Sequence, residues 1–308
     1  MIHQLDIYGK DLVETSIQRL KAFEPKEGYY LAFSGGKDSV VCKALCDMAG
    51  VKYDAHYAVT SVDPPELVRF IKREYPDVHF EIRHWEADGR RVREGEPITM
   101  WNLIPEKQMP PTRIARYCCA YLKEEGGHGR KVVTGVRWAE SANRKNNAGV
   151  VKFTSKIKKV EKTAEKVGAD IFITSKGGVI LNNDNEETRQ LVEHCYIQAK
   201  TTINPIVDWT DAEVWEFIHE YNVPYCELYD QGFKRLGCIG CPMGGENSQK
   251  AEFSRYPKYK DLYLKAFERM LEENNKYGIV KKNWKTAEEV MDWWIKGGFT
   301  KGETNETF

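Results

Sequence analysis

The sequence predicts an α/β fold: a parallel, doubly wound sheet with a C-terminal helical appendage. Three observations carry this. Short apolar runs of strand length alternate with amphipathic stretches of ten or more residues, the pattern of strands joined by helical crossovers. A glycine-rich turn, Ser34-Gly35-Gly36, stands where one such run meets the next helical stretch. Beyond Met243 the pattern becomes helical and aromatic.

Taken in order, Lys10 to Phe23 reads as a helix with Leu12, Ile17 and Leu20 on one side. Tyr29 to Phe33 (YYLAF) is short and apolar, as a buried strand is. Asp38 to Met48 places Val41, Ala44, Leu45 and Met48 on one helical face, and Gly50 is positioned to end that helix. A second strand is expected over Val51–Val59, a helix over Pro65–Tyr75 and a third strand over Val78–Arg83. Lys131–Val136 reads as another strand, and Ile203–Val207 as a further extended stretch. The appendage is expected as helices over Gln249–Glu273 and Thr286–Ile295, while Asn143–Asn185 has the weakest pattern.

Composition excludes several classes. Of the 308 residues 41% are apolar and 30% charged, enough to bury a core and keep a hydrated surface. No run approaches the ~18 consecutive apolar residues of a membrane span. The start, MIHQLDIYGKDLVETS, lacks a basic region followed by an apolar one, so a cytoplasmic protein without membrane contact is expected. The 46 basic and 46 acidic residues cancel, yet between Lys107 and Lys166 fifteen Lys or Arg face five Glu and no Asp. That excess is either a solvated surface or a field that gathers phosphate-bearing ligands. The arginines among them favour phosphate; the Lys152–Lys166 run reads as an exposed charged helix or as a contact for nucleic acid.

The sharpest local signal is Ser34-Gly35-Gly36-Lys37-Asp38-Ser39 between a strand and a helix. Glycines let backbone N–H groups turn toward one point, and the helix adds its positive end. The result is an anion nest, with Lys37 and the Ser34 and Ser39 hydroxyls as further donors. It is not a Walker A loop, because Leu31 stands where that loop needs glycine. The plainer alternative is an ordinary strand–turn–helix connection.

This hexapeptide resembles the signature of the PP-loop ATP pyrophosphatases, the adenine nucleotide alpha-hydrolase group. The resemblance implies an adenosine nucleotide held by Ser34, Gly35, Gly36, Lys37, Asp38 and Ser39, cleavage between its α- and β-phosphates, and Mg²⁺ with Asp38 as partner. Gly135-Val136-Arg137-Trp138-Ala139-Glu140-Ser141 with Arg144 is similar to a loop of the phosphoadenosine phosphosulfate (PAPS) reductase family. By that resemblance Gly135, Arg137, Glu140, Ser141 and Arg144 also face the nucleotide, and Lys37, Asp38, Arg137 and Arg144 are the catalytic candidates. Arginine suits this because its planar fork grips phosphate or sulfate through two bonds; the alternative is a surface ion-pair loop. Asn204-Pro205-Ile206-Val207-Asp208-Trp209-Thr210 also resembles the family, with Thr210 and Glu213 spaced as a capping box. Thr60, in Thr60-Ser61-Val62-Asp63, loosely matches its base-side loop. The corresponding division is an N-terminal helical segment over residues 1–27, a nucleotide-binding α/β domain over 28–235, and a cysteine knuckle with helices over 236–308.

The eight cysteines are Cys42, Cys46, Cys118, Cys119, Cys195, Cys226, Cys238 and Cys241. Disulfides are not expected without a secretory signal, and Cys42 and Cys46 read as core. Cys238-Ile239-Gly240-Cys241-Pro242 has chelating spacing, and Cys118-Cys119 offers two more ligands. The arrangement resembles 4Fe–4S adenylyl-sulfate reductases, although the gap between the pairs is longer than expected of them. Zinc is the alternative metal, and Cys195 the alternative to Cys119 as fourth ligand. No cysteine follows Cys241 in these residues, so the nucleophilic cysteine segment of those reductases has no counterpart here. The reading is therefore a PP-loop protein that binds ATP, carries a 4Fe–4S cluster and adenylates an acceptor, with sulfur transfer to a nucleic acid as its outlet. PAPS or adenylyl-sulfate reduction and a non-catalytic nucleotide sensor are the alternatives.

Overall fold

The computed structural model describes residues 11–154, 156–197, 199–279 and 282–298. The chain begins with α1 (Leu12–Ala22), β1 (Tyr29–Ala32), α2 (Lys37–Ala49), β2 (Tyr53–Ala58), α3 (Pro65–Glu74) and β3 (His79–Glu81). Next come α4 (Met100–Lys107), α5 (Tyr117–Leu122), β4 (Lys131–Val133), a 3-10 turn (Trp138–Glu140), α6 (Ala142–Asn147) and β5 (Val151–Thr154). There follow α7 (Ile157–Val167), β6 (Phe172–Ile173), β7 (Val179–Leu181), α8 (Glu186–Cys195), β8 (Lys200–Ile203) and α9 (Asp211–Glu220). A second 3-10 turn (Pro242–Gly244) leads into α10 (Glu246–Arg255), α11 (Pro257–Lys276) and α12 (Ala287–Ile295). Among the described residues no helix is long and apolar enough to cross a membrane.

The strands form one sheet in the order β3-β2-β1-β4-β8-β5-β7-β6. β1 is parallel to β2 and β4, and β4 to β8, so the α/β expectation holds for the central strands. Leu31, Val133 and Ile203 are fully buried there, as parallel strands covered on both faces must be. The segment of weakest pattern adds an antiparallel extension. β5 runs against β8 and β7, and β6 runs against β7.

The chain divides into two compact units. The first comprises the described residues up to Tyr57, then Glu66–Phe80 and Gly126–Leu236. In it α1 packs on α2, α2 on α9, and α7 on α8. The second comprises Ala58–Pro65, Glu81–Glu125 and the described residues from Gly237 on. Its core joins Leu103 and Ile104 of α4, Phe267 and Met270 of α11, and Trp294 of α12. Residues 81–125, which the sequence grouped with the nucleotide-binding part, thus pack with the C-terminal helices.

Several element limits differ from expectation for identifiable reasons. The first helix starts at Leu12, because the Asp11 carboxylate accepts the Glu14 N–H and caps it; Lys10 lies outside the described residues, as do all of the first ten of the expected 1–27 segment and the last ten of 236–308. The single helix expected over Gln249–Glu273 is two. Pro257 has no N–H to continue α10 and holds Tyr256 at φ −121° and ψ 64°, outside the helical range. Lys152 belongs to strand β5 rather than to a charged helix, which starts only at Ile157. The extended stretch expected over Ile203–Val207 lies earlier, at Lys200–Ile203.

Candidate functional site

The Ser34–Ser39 turn lies in the first unit, between β1 and α2. Gly35 has φ +71°, and a Cβ there would come within 2.7–2.8 Å of Ile71 and Leu67, so this position demands glycine. Gly36 is less constrained: its φ is −77°, and a Cβ would stand 3.4 Å from Ser34 Oγ. As N-cap of α2, Gly36 brings no side chain to the first-turn N–H groups. One of these, Lys37 N–H, donates to the Tyr229 hydroxyl at 2.9 Å, and Gly36 N–H donates to Ser34 Oγ at 3.3 Å. The Ser39 hydroxyl donates to the Gly36 carbonyl at 2.9 Å and accepts the Ser34 N–H at 3.2 Å, which folds the turn on itself.

Charge at the turn is arranged as an alternating network. Lys37 Nζ stands 3.3 Å from Asp38 and 3.2 Å from Asp211. Arg137 Nε donates to Asp38 at 2.7 Å, its Nη1 to the Trp209 carbonyl at 3.1 Å, and its Nη2 to Asp211. Burial alone would weaken the Arg137 charge, but Asp38 and Asp211 outweigh it and strengthen its hold on the proton. Burial likewise would raise the Asp211 carboxyl, yet Arg137 and Lys37 bring it below the usual range. The sequence offered Arg137 to a phosphate. The structure buries it to 1% exposure with its donors on protein oxygens. Arg144, by contrast, is 43% exposed on its side chain and pairs with Glu140 at 3.0 Å. Ser141 accepts the Arg144 N–H at 3.2 Å as the N-cap of α6. At Gly135 a Cβ would lie 2.8 Å from Asp38 Cβ, so glycine allows this loop to reach α2.

The second unit gathers Cys118, Cys119, Cys238 and Cys241. The Cys118 thiol is pushed up by its hydrogen bond to Cys119 and by burial, with Cys238 and Cys241 adding to the effect. The same bond draws Cys119 down, helped by Arg116, whose Nη2 lies 3.4 Å from Cys119 Sγ. Burial raises the Cys238 thiol while the neighbouring Lys123 pulls it down. Lys123 in turn holds its proton more firmly than usual: burial opposes this, but Cys238 and Asp63 prevail. Gly240 has φ +73° and lets the knuckle turn where a Cβ would strike Phe253 at 2.6 Å. Gly240 N–H donates to Glu252 at 2.6 Å, and Ile239 N–H to the Val62 carbonyl at 2.8 Å. Thr60, expected beside the base, is fully buried in this unit. It donates to Asp63 at 2.7 Å and accepts the Cys238 thiol at 3.8 Å. Cys195 sits in the first unit, on α8, with Thr163 as hydrogen-bond partner. Among the described residues no three His, Cys, Asp or Glu side chains converge closely enough to hold a metal ion.

Residues 28–243 match the family model of the phosphoadenosine phosphosulfate reductase domain. The chain belongs to this family. The PAPS reductase domain thus spans both the turn after β1 and the Cys238–Cys241 knuckle. An uncharacterized protein of Methanocaldococcus jannaschii is 35% identical over 247 residues, 80% of this chain and 47% of that protein. A second from the same organism is 26% identical over 81% of this chain and 43% of its own length. The chain therefore spans less than half the length of these two curated relatives. An adenosine 5'-phosphosulfate reductase of Allochromatium vinosum shares 49% identity, but over only 39 residues, 13% of this chain and 15% of its own. The solved PAPS reductase of Candida auris, in complex with phosphate, aligns at 17% identity and a TM-score of 0.40, over 76% of this chain and 96% of that one.

Three participants in this PAPS reductase-family chain escaped the sequence reading, Asp211, Tyr229 and Lys123, while Asp63 entered it only as the end of the Thr60–Asp63 motif. Asp211 carried a signal, since it follows the Thr210 N-cap and so stands at the start of α9. Tyr229 carried none, because nothing in a turn-rich stretch says that its hydroxyl meets Lys37.

Proposed function

We propose that this protein binds ATP at the Ser34–Ser39 turn, cleaves it between the α- and β-phosphates and adenylates an acceptor. The observation that carries the reading is the start of α2, where Gly36 brings no capping side chain and Lys37 stands between two carboxylates. In the reaction, an acceptor oxygen attacks the α-phosphorus and gives up its proton, while the bond to the bridging oxygen breaks. Pyrophosphate leaves with that electron pair. The N–H groups of the turn, the Ser34 and Ser39 hydroxyls and Lys37 receive the developing charge, a role for preorganised donors. Asp38 is the residue suited to Mg²⁺, and Arg137 holds it in place. Arg144 reaches toward phosphate with Glu140 as its orienting partner, and Gly135 and Ser141 shape that loop.

We assign a 4Fe–4S cluster to Cys118, Cys119, Cys238 and Cys241. What supports this is the donor set: four thiols with Arg116 and Lys123 to balance an anionic centre, where tandem cysteines suit one tetrahedral ion poorly. When bound, such a cluster supplies one-electron chemistry or a structural tie. A nucleic acid marked for sulfur insertion is the acceptor class this reading favours. A second reading, reduction of adenylyl sulfate or PAPS, is favoured by the short stretch shared with adenosine 5'-phosphosulfate reductases.

Anaerobically prepared protein incubated with ATP and Mg²⁺ is expected to release pyrophosphate, and Lys37→Ala to abolish release. Sulfite formed from adenylyl sulfate with thioredoxin, without pyrophosphate from ATP, would establish the second reading. Tight ATP binding with neither product would make the chain a nucleotide sensor.

A further inference from the structure

We propose that the cleft lined by Asp211, Trp215, Tyr229, Phe233 and Lys234 holds a nucleobase of the acceptor against the Ser34–Ser39 turn. The word acceptor rests on the adenylation reading above; the cleft itself stands on its own geometry. It measures about 360 Å³, within the range of small-molecule sites. All five residues come from α9 and the loop after it, in the first unit. Two of them touch the turn directly. The Tyr229 hydroxyl accepts the Lys37 N–H at 2.9 Å, and a Cβ on Gly36 would stand 3.5 Å from that hydroxyl. Asp211 meets Lys37 Nζ at 3.2 Å. The cleft therefore adjoins the groups to which the phosphates are assigned.

The chemistry of the lining selects the occupant. Trp215, Tyr229 and Phe233 are each half-buried, so each keeps ring surface for a ligand. Trp215 is held in place by its neighbours: Tyr229 and Tyr225 stand nearly perpendicular to it at 5.1 and 5.3 Å, and His219 stacks on it at 5.8 Å. The loop is fixed as well. Tyr229 N–H donates to the Cys226 carbonyl and Phe233 N–H to the carbonyl of fully buried Leu228, both at 3.1 Å. Rings fixed in advance lose little freedom when a flat ligand stacks on them. Lys37 Nζ and Arg137 Nη2 both meet Asp211 Oδ1, which leaves Oδ2 of this 72% exposed side chain to accept an N–H. Exposed Lys234 supplies a cation for a phosphodiester. A flat ring with an N–H donor and a phosphate on its sugar is a nucleotide unit, and aromatic rings beside a cation are the platform on which single strands stack. Closeness to the turn decides between two nucleobases, the acceptor's and that of ATP. An attacking atom must come within about 3–3.5 Å of the phosphorus, whereas the adenine of ATP is held away from its own α-phosphate by the ribose.

The experiment uses the full chain and its Trp215→Ala, Phe233→Ala, Phe233→Tyr and Lys234→Gln variants. The probes are a labelled mixed-sequence single-stranded RNA and an abasic strand of equal length, followed by anisotropy with a non-hydrolysable ATP analogue present, and that analogue titrated alone. Both alanine variants are expected to lose about 5- to 150-fold in RNA affinity, the range for one stacked base, while Phe233→Tyr retains it. In these variants the abasic strand and the analogue should bind as they do to the parent. Lys234→Gln should weaken both strands and reduce the slope of log K against log salt by about one. If the alanine variants bind RNA like the parent, or weaken both strands equally, no base stacks in the cleft and the proposal falls. If they weaken the ATP analogue instead, the ring held there belongs to ATP and the acceptor assignment falls. Should Trp215→Ala fail to fold, the comparison of Phe233→Ala with Phe233→Tyr decides. Failure of the adenylation reading shows separately, as absent pyrophosphate release from ATP with base-dependent binding intact.

Discussion

Arg137 makes three contacts through one side chain: with Asp38 at the start of α2, with the Trp209 carbonyl before α9 and with Asp211 at its first residue. A lysine there keeps the charge but has no fork to span both carboxylates. Arg137→Lys is therefore expected to lower stability by about 1.5–3 kcal/mol, the worth of hydrogen bonds to charged groups. It should also weaken ATP binding several-fold, because Asp38 and Lys37 lose their fixed positions. Urea unfolding and an ATP titration check the two effects; if neither changes, the network does not position the turn. The motif containing Arg137 was legible because glycine and arginine types mark phosphate chemistry. Its partners were not, since Asp211 lies 74 residues away and becomes a neighbour only when the loop after β4 meets the start of α9.

At the scale of elements, Asp54 on β2 is held by Arg130 just before β4. Arg130 donates to Asp54 at 2.7 Å and to the carbonyls of Gly28 and Tyr29 at 3.0 and 2.8 Å. Arg130 is the main reason the Asp54 carboxyl is brought down to about 2, against the raising effect of its partial burial. A carboxyl depressed in the folded state contributes stability that is present above its ordinary value of about 3.9 and lost as pH falls toward 2. Arg130→Gln should thus cost more stability at about pH 6 than at about pH 2.5. Urea unfolding at both values measures this, and an equal loss at each would mean that the pair does not tie these strands. Strands and helices with clear periodicity were legible to within a few residues. The antiparallel β5-β7-β6 extension was not: its strands are two to four residues long, too short to establish a period of two.

At the scale of the molecule, the two compact units are each assembled from separated stretches of chain. The thiols at 118–119 and 238–241 belong to the second unit, while Cys42 and Cys195 are buried in the first. Cys119→Ser, Cys238→Ser and Cys241→Ser are each expected to lose iron and labile sulfide from anaerobically purified protein, and to loosen the C-terminal helices to proteolysis. Cys42→Ser and Cys195→Ser should keep both properties. Loss of iron on Cys195→Ser with retention on Cys119→Ser would reassign the fourth ligand, and a zinc-containing colourless protein would replace the cluster.

The sequence by itself determined the α/β class, the glycine-rich turn at Ser34–Ser39 and the candidate thiols, because periodicity, glycine placement and ligand type are local properties of a chain. Tertiary structure alone decided that Arg137 is occupied by two carboxylates, that Thr60 belongs with Cys238, and that residues 81–125 pack with the C-terminal helices. These depend on which distant segments share a neighbourhood. That choice is made by burying apolar surface across the whole chain, and no single stretch records it.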